Sequence, residues 1–99
     1  MKLFLDDTRK FPESGFQCCR TSKQAIMLLS VMEFDFISLD YSLEGADTGM
    51  EVLKYIKEKG IFIPNINIHS NHIEGRHKMY DFCKENFPKT SVTMNMLEK

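Results

Sequence analysis

Tryptophan is absent from this chain, and proline (three), cysteine (three) and glycine (five) are all scarce among its 99 residues. So little glycine and proline argues against a fibrous or low-complexity chain and for ordinary packed elements. Cys18 and Cys19 are adjacent and Cys83 is distant. An odd count without metal-type spacing argues against a disulfide framework, and reads as reduced thiols filling a core in a cytoplasmic protein. No apolar run approaches the roughly 18 residues of a membrane span, and the apolar stretch before Asp6 is too short for an export signal, so no membrane association is expected. Nor is there an excess of one charge: 13 basic residues meet 14 acidic ones, for a net charge of −1 and a pI near 6.3. Strong non-specific nucleic-acid binding is therefore not expected, although a local positive site is compatible with this balance. Without repeats or linkers, residues 1–99 read as a single domain with a compact core.

What is present is a regular alternation. Short apolar stretches predict strands at 2–5, 16–20, 36–39, 65–69 and 91–96. A helix is predicted after Thr21, where "TSKQ" forms a capping box and Ala25, Leu28, Leu29 and Met32 share a stripe. A second begins at "TGME", also a capping box, buries Met50, Val52, Leu53 and Ile56, and ends at Gly60. The third starts at Asn71, with Glu74 three residues on, and runs to Pro88. Strand–helix alternation of this kind means an α/β fold with a parallel sheet and right-handed crossovers. Residues 6–15 lack a helical stripe, so a loop replaces a helix there. Within the strands, Leu3, Leu5, Ile37, Leu39, Ile66 and Ile68 share one parity. Lys2, Phe4, Phe36, Ser38, Asn65 and Asn67 share the other, which is far more polar. A sheet covered on both faces would be apolar on both parities, so helices are expected mainly on one face.

The stretch "LFLDDTR" ends its apolar run in two carboxylates, Asp6 and Asp7. The bland account is a solvated turn. Asp40 ends the third predicted strand, however, and ligands of open parallel sheets bind beyond the carboxyl ends of the strands. Three acids converging there repel one another unless a cation such as Mg²⁺ takes their oxygens. Asp6, Asp7 and Asp40 are therefore candidate metal ligands, with Mg²⁺ as the expected cofactor. The fourth strand delivers His69 and Ser70 to the same edge, and Arg76 follows near a helix N-terminus, where anions are favoured. Arg9, Ser70 and Arg76 are candidate phosphate-binding residues. Arg20, His72 and His77 read as surface residues.

"LFLDD", "ISLDYSLEGADTGMEVLKYI" and "IPNINIHS" resemble the first, third and fourth strand regions of response-regulator receiver domains. That resemblance implies a flavodoxin-like sheet of strand order 2-1-3-4-5, with Asp6 and Asp7 as metal-binding acids and Asp40 as phosphoacceptor. Three departures stand out. His69 falls where receivers carry Thr or Ser, "VTMNML" lacks the receiver lysine, and the helices that follow the first and last receiver strands are missing. Gly49 also lies one residue later than in receivers. "FLDDTR", "CRT" and "HSNHIEGRHKM" are similar to the cyclic-phosphate processing receiver domains, with their LDD-x-R, R-T and H-S-(x)n-G-R-x-x-M patterns.

The leading expectation is a stand-alone receiver-like domain that binds or processes a phosphate group, such as the cyclic phosphate of a nucleotide or an RNA end. In that reading Asp40 is the nucleophile and His69 the acid for the leaving oxygen. Two alternatives belong to other classes: a single-domain receiver phosphorylated on Asp40, and a non-catalytic protein-interaction adaptor. Phe4 and Phe36, on neighbouring strands of the bare face, predict an apolar patch for a homodimer or protein partner. The competing account is that the loop of residues 8 to 15, with Phe11 and Pro12, folds back over them.

Overall fold

The computed structural model describes residues 1–12 and 14–95. Five parallel strands, β1 (Lys2–Leu5), β2 (Phe16–Cys19), β3 (Phe36–Leu39), β4 (Asn65–Ile68) and β5 (Ser91–Thr93), form one sheet of order 2-1-3-4-5. Among the described residues three helices, α1 (Ser22–Val31), α2 (Met50–Lys59) and α3 (Ile73–Asn86), follow β2, β3 and β4. None of the described helices is long and apolar enough to cross a membrane.

Strand parity decides where the core lies. Leu3, Leu5, Ile37, Leu39, Ile66 and Ile68 pack in one cluster with Ala25 and Leu29 of α1, Val52, Leu53 and Ile56 of α2, and Met79 and Cys83 of α3. All three helices therefore cover the same face, as the apolar parity requires. Burial pushes the thiols of Cys19 and Cys83, both in this core, up to about 12, so neither supplies a reactive thiolate.

The expected patch on the opposite face needs correcting. Phe4 is only 1% exposed. The loop after β1 returns across the sheet, and Phe11 meets the Phe4 ring edge-on at 6.1 Å, while Phe16 does the same at 6.0 Å. Phe36 packs against Phe16 at 6.0 Å, and the Lys2 ammonium stands over both rings. The aromatic pair is thus satisfied within the chain, because a ten-residue loop without a helix is long enough to fold back and carries an aromatic residue of its own. The surface argument for a homodimer or partner contact through Phe4 goes with its exposure.

Local boundaries also differ from expectation. The Thr21–Gln24 capping box forms, but the one expected at "TGME" does not: Gly49 is the N-cap, without a side-chain cap. Thr48 is committed instead to an antiparallel bridge with Ser42, and the Gly49 amide donates to the Tyr41 carbonyl at 2.9 Å. Here the chain passes so close to the Asp40 carbonyl that a side chain at position 49 would clash with it. The third helix begins at Ile73 with His72, not Asn71, as its N-cap. The fourth strand stops at Ile68, one residue before His69, and the second at Cys19, before Arg20. The fifth ends at Thr93, and position 96 of its expected range lies outside the described residues.

Candidate functional site

Parallel register aligns the strand ends. Leu5 pairs with Leu39 on one side and Cys19 on the other, and Leu39 pairs with Ile68. Asp6, Arg20, Asp40 and His69 therefore leave the sheet side by side at its carboxyl edge. One carboxylate oxygen each from Asp6, Asp7 and Asp40 lies within 4.8 Å of the other two. The predicted acidic cluster is present.

The three acids are not equivalent. Asp6 is completely buried. Its Oδ1 accepts from the amides of Thr8 (2.9 Å) and Arg9 (2.8 Å), and its Oδ2 from Arg9 Nη1 (2.9 Å) and His69 Nε2 (3.1 Å). Four bonds fill the roughly four acceptor positions of a carboxylate. Burial alone would push the Asp6 carboxyl up, but the bonds from His69, the two amides and Arg9 outweigh it and hold the group well below the usual carboxylate range. The LDD-x-R spacing now has a cause. A turn of three residues brings both the amide and the guanidinium of Arg9 back onto Asp6.

Asp40 is only 7% exposed, yet among the described residues no such set of donors meets its carboxylate, Ser70 being the side chain that bonds it. Burial and the charge of Asp6 push it above its ordinary value, with a hydrogen bond from Ser70 and the charge of Arg9 pulling the other way. Asp40 faces a polar pocket of about 270 Å³ lined by Asp7, Thr8, Arg9, Asp40, Ser42, Ser70, Asn71 and His72. A larger cleft of about 670 Å³ lies elsewhere, bounded by Met1, Phe34, Asp35 and Pro64, which precede strands. That cleft is at the amino edge of the sheet and holds none of the three acids.

The predicted phosphate ligands divide. Arg9 lines the pocket, although its Nη1 is spent on Asp6 and on the His69 carbonyl at 3.0 Å. Ser70 also lines it, with its Oγ accepting from the His72 amide at 3.1 Å. Arg76 does not reach the lining; its Nη1 donates to the Ser70 carbonyl at 3.3 Å and braces the turn that leads into α3.

His69 is placed differently from its expected role as an acid for a leaving oxygen. The ring is 1% exposed and lies flat on Phe4, with centroids 4.5 Å apart. Its Nε2 bonds Asp6, and its Nδ1 bonds Ser38 Oγ at 2.6 Å. Ser38 accepts from Asn67 Nδ2 at 3.0 Å, and Asn67 Oδ1 accepts from Thr93 Oγ1 (2.6 Å) and the Asn95 amide (2.9 Å). With the proton on Nε2, the Ser38 hydroxyl donates to Nδ1 and every member of the chain is satisfied. Both ring nitrogens are therefore committed, and the histidine positions Asp6 instead of facing the pocket. The Asp6–His69–Ser38 sequence has the connectivity of a nucleophile triad, but Ser38 is 0% exposed and no substrate reaches it.

Of the residues read as surface ones, Arg20 is half-buried, whereas His72 is exposed as expected and also borders the pocket. Arg20 Nη1 donates to the carbonyls of Asp6 (3.1 Å) and Arg9 (2.9 Å), and its guanidinium stacks 3.8 Å from the Phe11 ring centroid. Arg20 thus pins both ends of the acidic turn. The signal was its position: the residue after the second strand stands in register with Asp6. His72 lines the pocket and caps α3, a placement no sequence periodicity announces. His77 is exposed on α3, as expected.

The donor set can be tested against Mg²⁺. Octahedral coordination at about 2.1 Å places opposite ligands roughly 4.2 Å apart. Oxygens within 4.8 Å of one another meet this after small rotations. Asp7 and Asp40 fit as ligands, whereas Asp6 is saturated by protein donors and contributes mainly its charge.

Comparison with curated proteins and with solved structures gives no match. The model of the cyclic-phosphate processing receiver domain matches residues 1–85, most of the chain, including the three acids and every residue that lines the pocket. Five parallel strands in receiver order, three helices on one face and acids at the ends of the first and third strands agree with that match, and the chain belongs to the cyclic-phosphate processing receiver domain family.

Proposed function

We propose that this protein is a metal-dependent phosphate-processing domain that opens the cyclic phosphate of a nucleotide or an RNA end. The observation that carries the reading is Asp40: a buried carboxylate without Asp6's set of donors, facing a small polar pocket beside Asp7 and Arg9. The charged groups lining that pocket are two acids and one arginine. A phosphate anion is repelled there until a divalent cation joins, so phosphate affinity depends on the metal.

Asp7 and Asp40 hold the Mg²⁺, and the Arg9 donors not used on Asp6 and His69 meet phosphate oxygens. Bound there, the cation supplies charge neutralisation and polarises the phosphoryl oxygen. An Asp40 oxygen attacks phosphorus, one ring P–O bond breaks, and the freed ribose oxygen takes a proton from water. The hydroxide left by that water then attacks phosphorus and breaks its bond to the Asp40 oxygen, restoring the Asp40 carboxylate and releasing a phosphomonoester. The Asp6–His69 pair keeps Arg9 and the acidic turn in place throughout.

The test is incubation with Mg²⁺ and 2′,3′-cyclic nucleotides or cyclic-phosphate RNA ends, with products read by phosphorus NMR. Ring opening that needs the metal and disappears in Asp40→Asn is the expected result. No ring opening, together with a stable phosphoryl group on Asp40 after acetyl phosphate treatment, would overturn it in favour of a signalling receiver. Absence of both would leave an adaptor.

A further inference from the structure

His72 has a pocket position that none of these roles uses. It sits at the N-cap of α3 and lines the pocket with Asp40, Ser70 and Asn71. Its Nδ1 accepts from the Gly75 amide at 2.9 Å. A ring nitrogen that accepts a hydrogen bond carries no proton, so the neutral ring carries its proton on Nε2. Among the described residues no hydrogen bond engages that Nε2, in contrast to both nitrogens of His69.

The ring is also held in place. Tyr41, next to Asp40, packs against it with centroids 4.9 Å apart, and the His72 amide is tied to Ser70 Oγ. Gly75 makes this packing possible, because the Tyr41 ring fills the space that any side chain at position 75 would need. The glycine of the G-R pattern thus lets the first turn of α3 come down on Tyr41 and present His72 at the pocket. His72 is exposed, but the Gly75 bond fixes its tautomer and the Tyr41 contact restrains its ring, which leaves Nε2–H as a donor without a protein partner, among the described residues, on a side chain that lines the pocket.

We propose that His72, and not His69, is the histidine that contacts a phosphoryl group bound over Asp40, with Nε2–H donating to a non-bridging phosphate oxygen. This rests on the phosphate-site reading above. In this tautomer the imidazole is a hydrogen-bond donor and not an acid, since loss of the Nε2 proton would leave an imidazolate. Its contribution is to stabilise charge on the phosphoryl oxygens.

His72→Asn separates the two roles of the residue. Asparagine is among the best N-caps and replaces the Nδ1 acceptor, but it is too short to replace the Nε2 donor. The probe is inorganic phosphate, titrated with saturating Mg²⁺. The expected result is a melting temperature close to wild type and phosphate affinity about 10-fold weaker or more, the scale of one hydrogen bond to a charged group. On the wild-type protein, nitrogen NMR of the imidazoles should show the His72 Nε2 resonance shifting with phosphate while that of His69 stays. Equal phosphate binding by wild type and His72→Asn, or a His72 resonance that stays still while the Ser70 amide responds, overturns this inference and leaves the phosphate site intact. A wild-type protein that binds no phosphate with Mg²⁺ overturns the phosphate reading itself, and this inference with it.

Discussion

Asp6 and Asp40 end neighbouring strands and carry the same side chain, yet the fold treats them in opposite ways. Asp6 receives four hydrogen bonds and is held ionised. Asp40, almost as buried, faces the pocket with its carboxyl raised by burial and by Asp6 itself. The difference separates two uses of a buried charge. A carboxylate that has all its donors organises structure, and one kept short of donors is disposed to take a cation or attack an electrophile. Asp6 gathers Arg9, His69 and the turn between them, and the ordered turn in turn holds Asp7 beside Asp40.

The contrast is most easily broken at Asp6. Asp6→Ala leaves the Arg9 guanidinium and the His69 Nε2 without their partner in a buried corner. Breaking a buried, hydrogen-bonded charge pair from one side costs about 3–5 kcal/mol, a large share of the roughly 5–15 kcal/mol by which small domains are stable. Urea denaturation is expected to show a midpoint far below wild type. A midpoint within error of wild type would mean that Asp6 is no more structural than Asp40.

A smaller effect is expected from the loop that covers this corner. Arg20→Ala removes two hydrogen bonds to the acidic turn and the stacking on Phe11, and Phe11→Ala removes the edge contact on Phe4. Each is expected to cost about 1–3 kcal/mol. The double variant should lose less than the sum, because the two side chains stack on each other. Strict additivity in urea melts would show that the Arg20–Phe11 stack carries no coupling and that the turn is held by Asp6 alone.

The smallest effect has the opposite sign. Folding raises the Asp40 carboxyl above its unfolded value, so the ionised group opposes folding at neutral pH. In chelator, Asp40→Asn is therefore expected to melt slightly above wild type near pH 7, and the gap should close as the pH falls through the raised Asp40 value and Asp40 takes up its proton. The depressed Asp6 works the other way: its stabilisation is complete above the ordinary carboxylate value of about 4 and is lost as the pH falls below it. Thermal melts of both proteins from pH 7 to pH 3 read the two signs. An Asp40→Asn protein less stable than wild type at pH 7 without metal would contradict the asymmetry.

Much of this architecture was written in local patterns. The Thr21–Gln24 box and the parity of Leu3, Leu5, Ile37 and Leu39 depend on neighbours a few positions apart, and the structure contains them as expected. The "TGME" box failed for a tertiary reason, since a bridge to Ser42 took Thr48 before it could cap. Phe4 was misplaced for a similar reason. Its parity put it on the face away from the helices, and parity says nothing of a loop that returns with Phe11 to cover that face.

By itself the sequence determined that this is a parallel α/β sheet with helices on one face and carboxylates at its carboxyl edge, because strand and helix periods and cap residues act over a few positions. Only the tertiary structure decided which of those carboxylates is filled with donors, that His69 faces inward to Asp6 and Ser38, that Arg20 pins the acidic turn, and that His72 is the histidine at the pocket. These are matters of hydrogen-bond supply at one place in space. The donors to Asp6 come from positions 8, 9 and 69, and no pattern along the chain counts bonds between residues more than 60 positions apart.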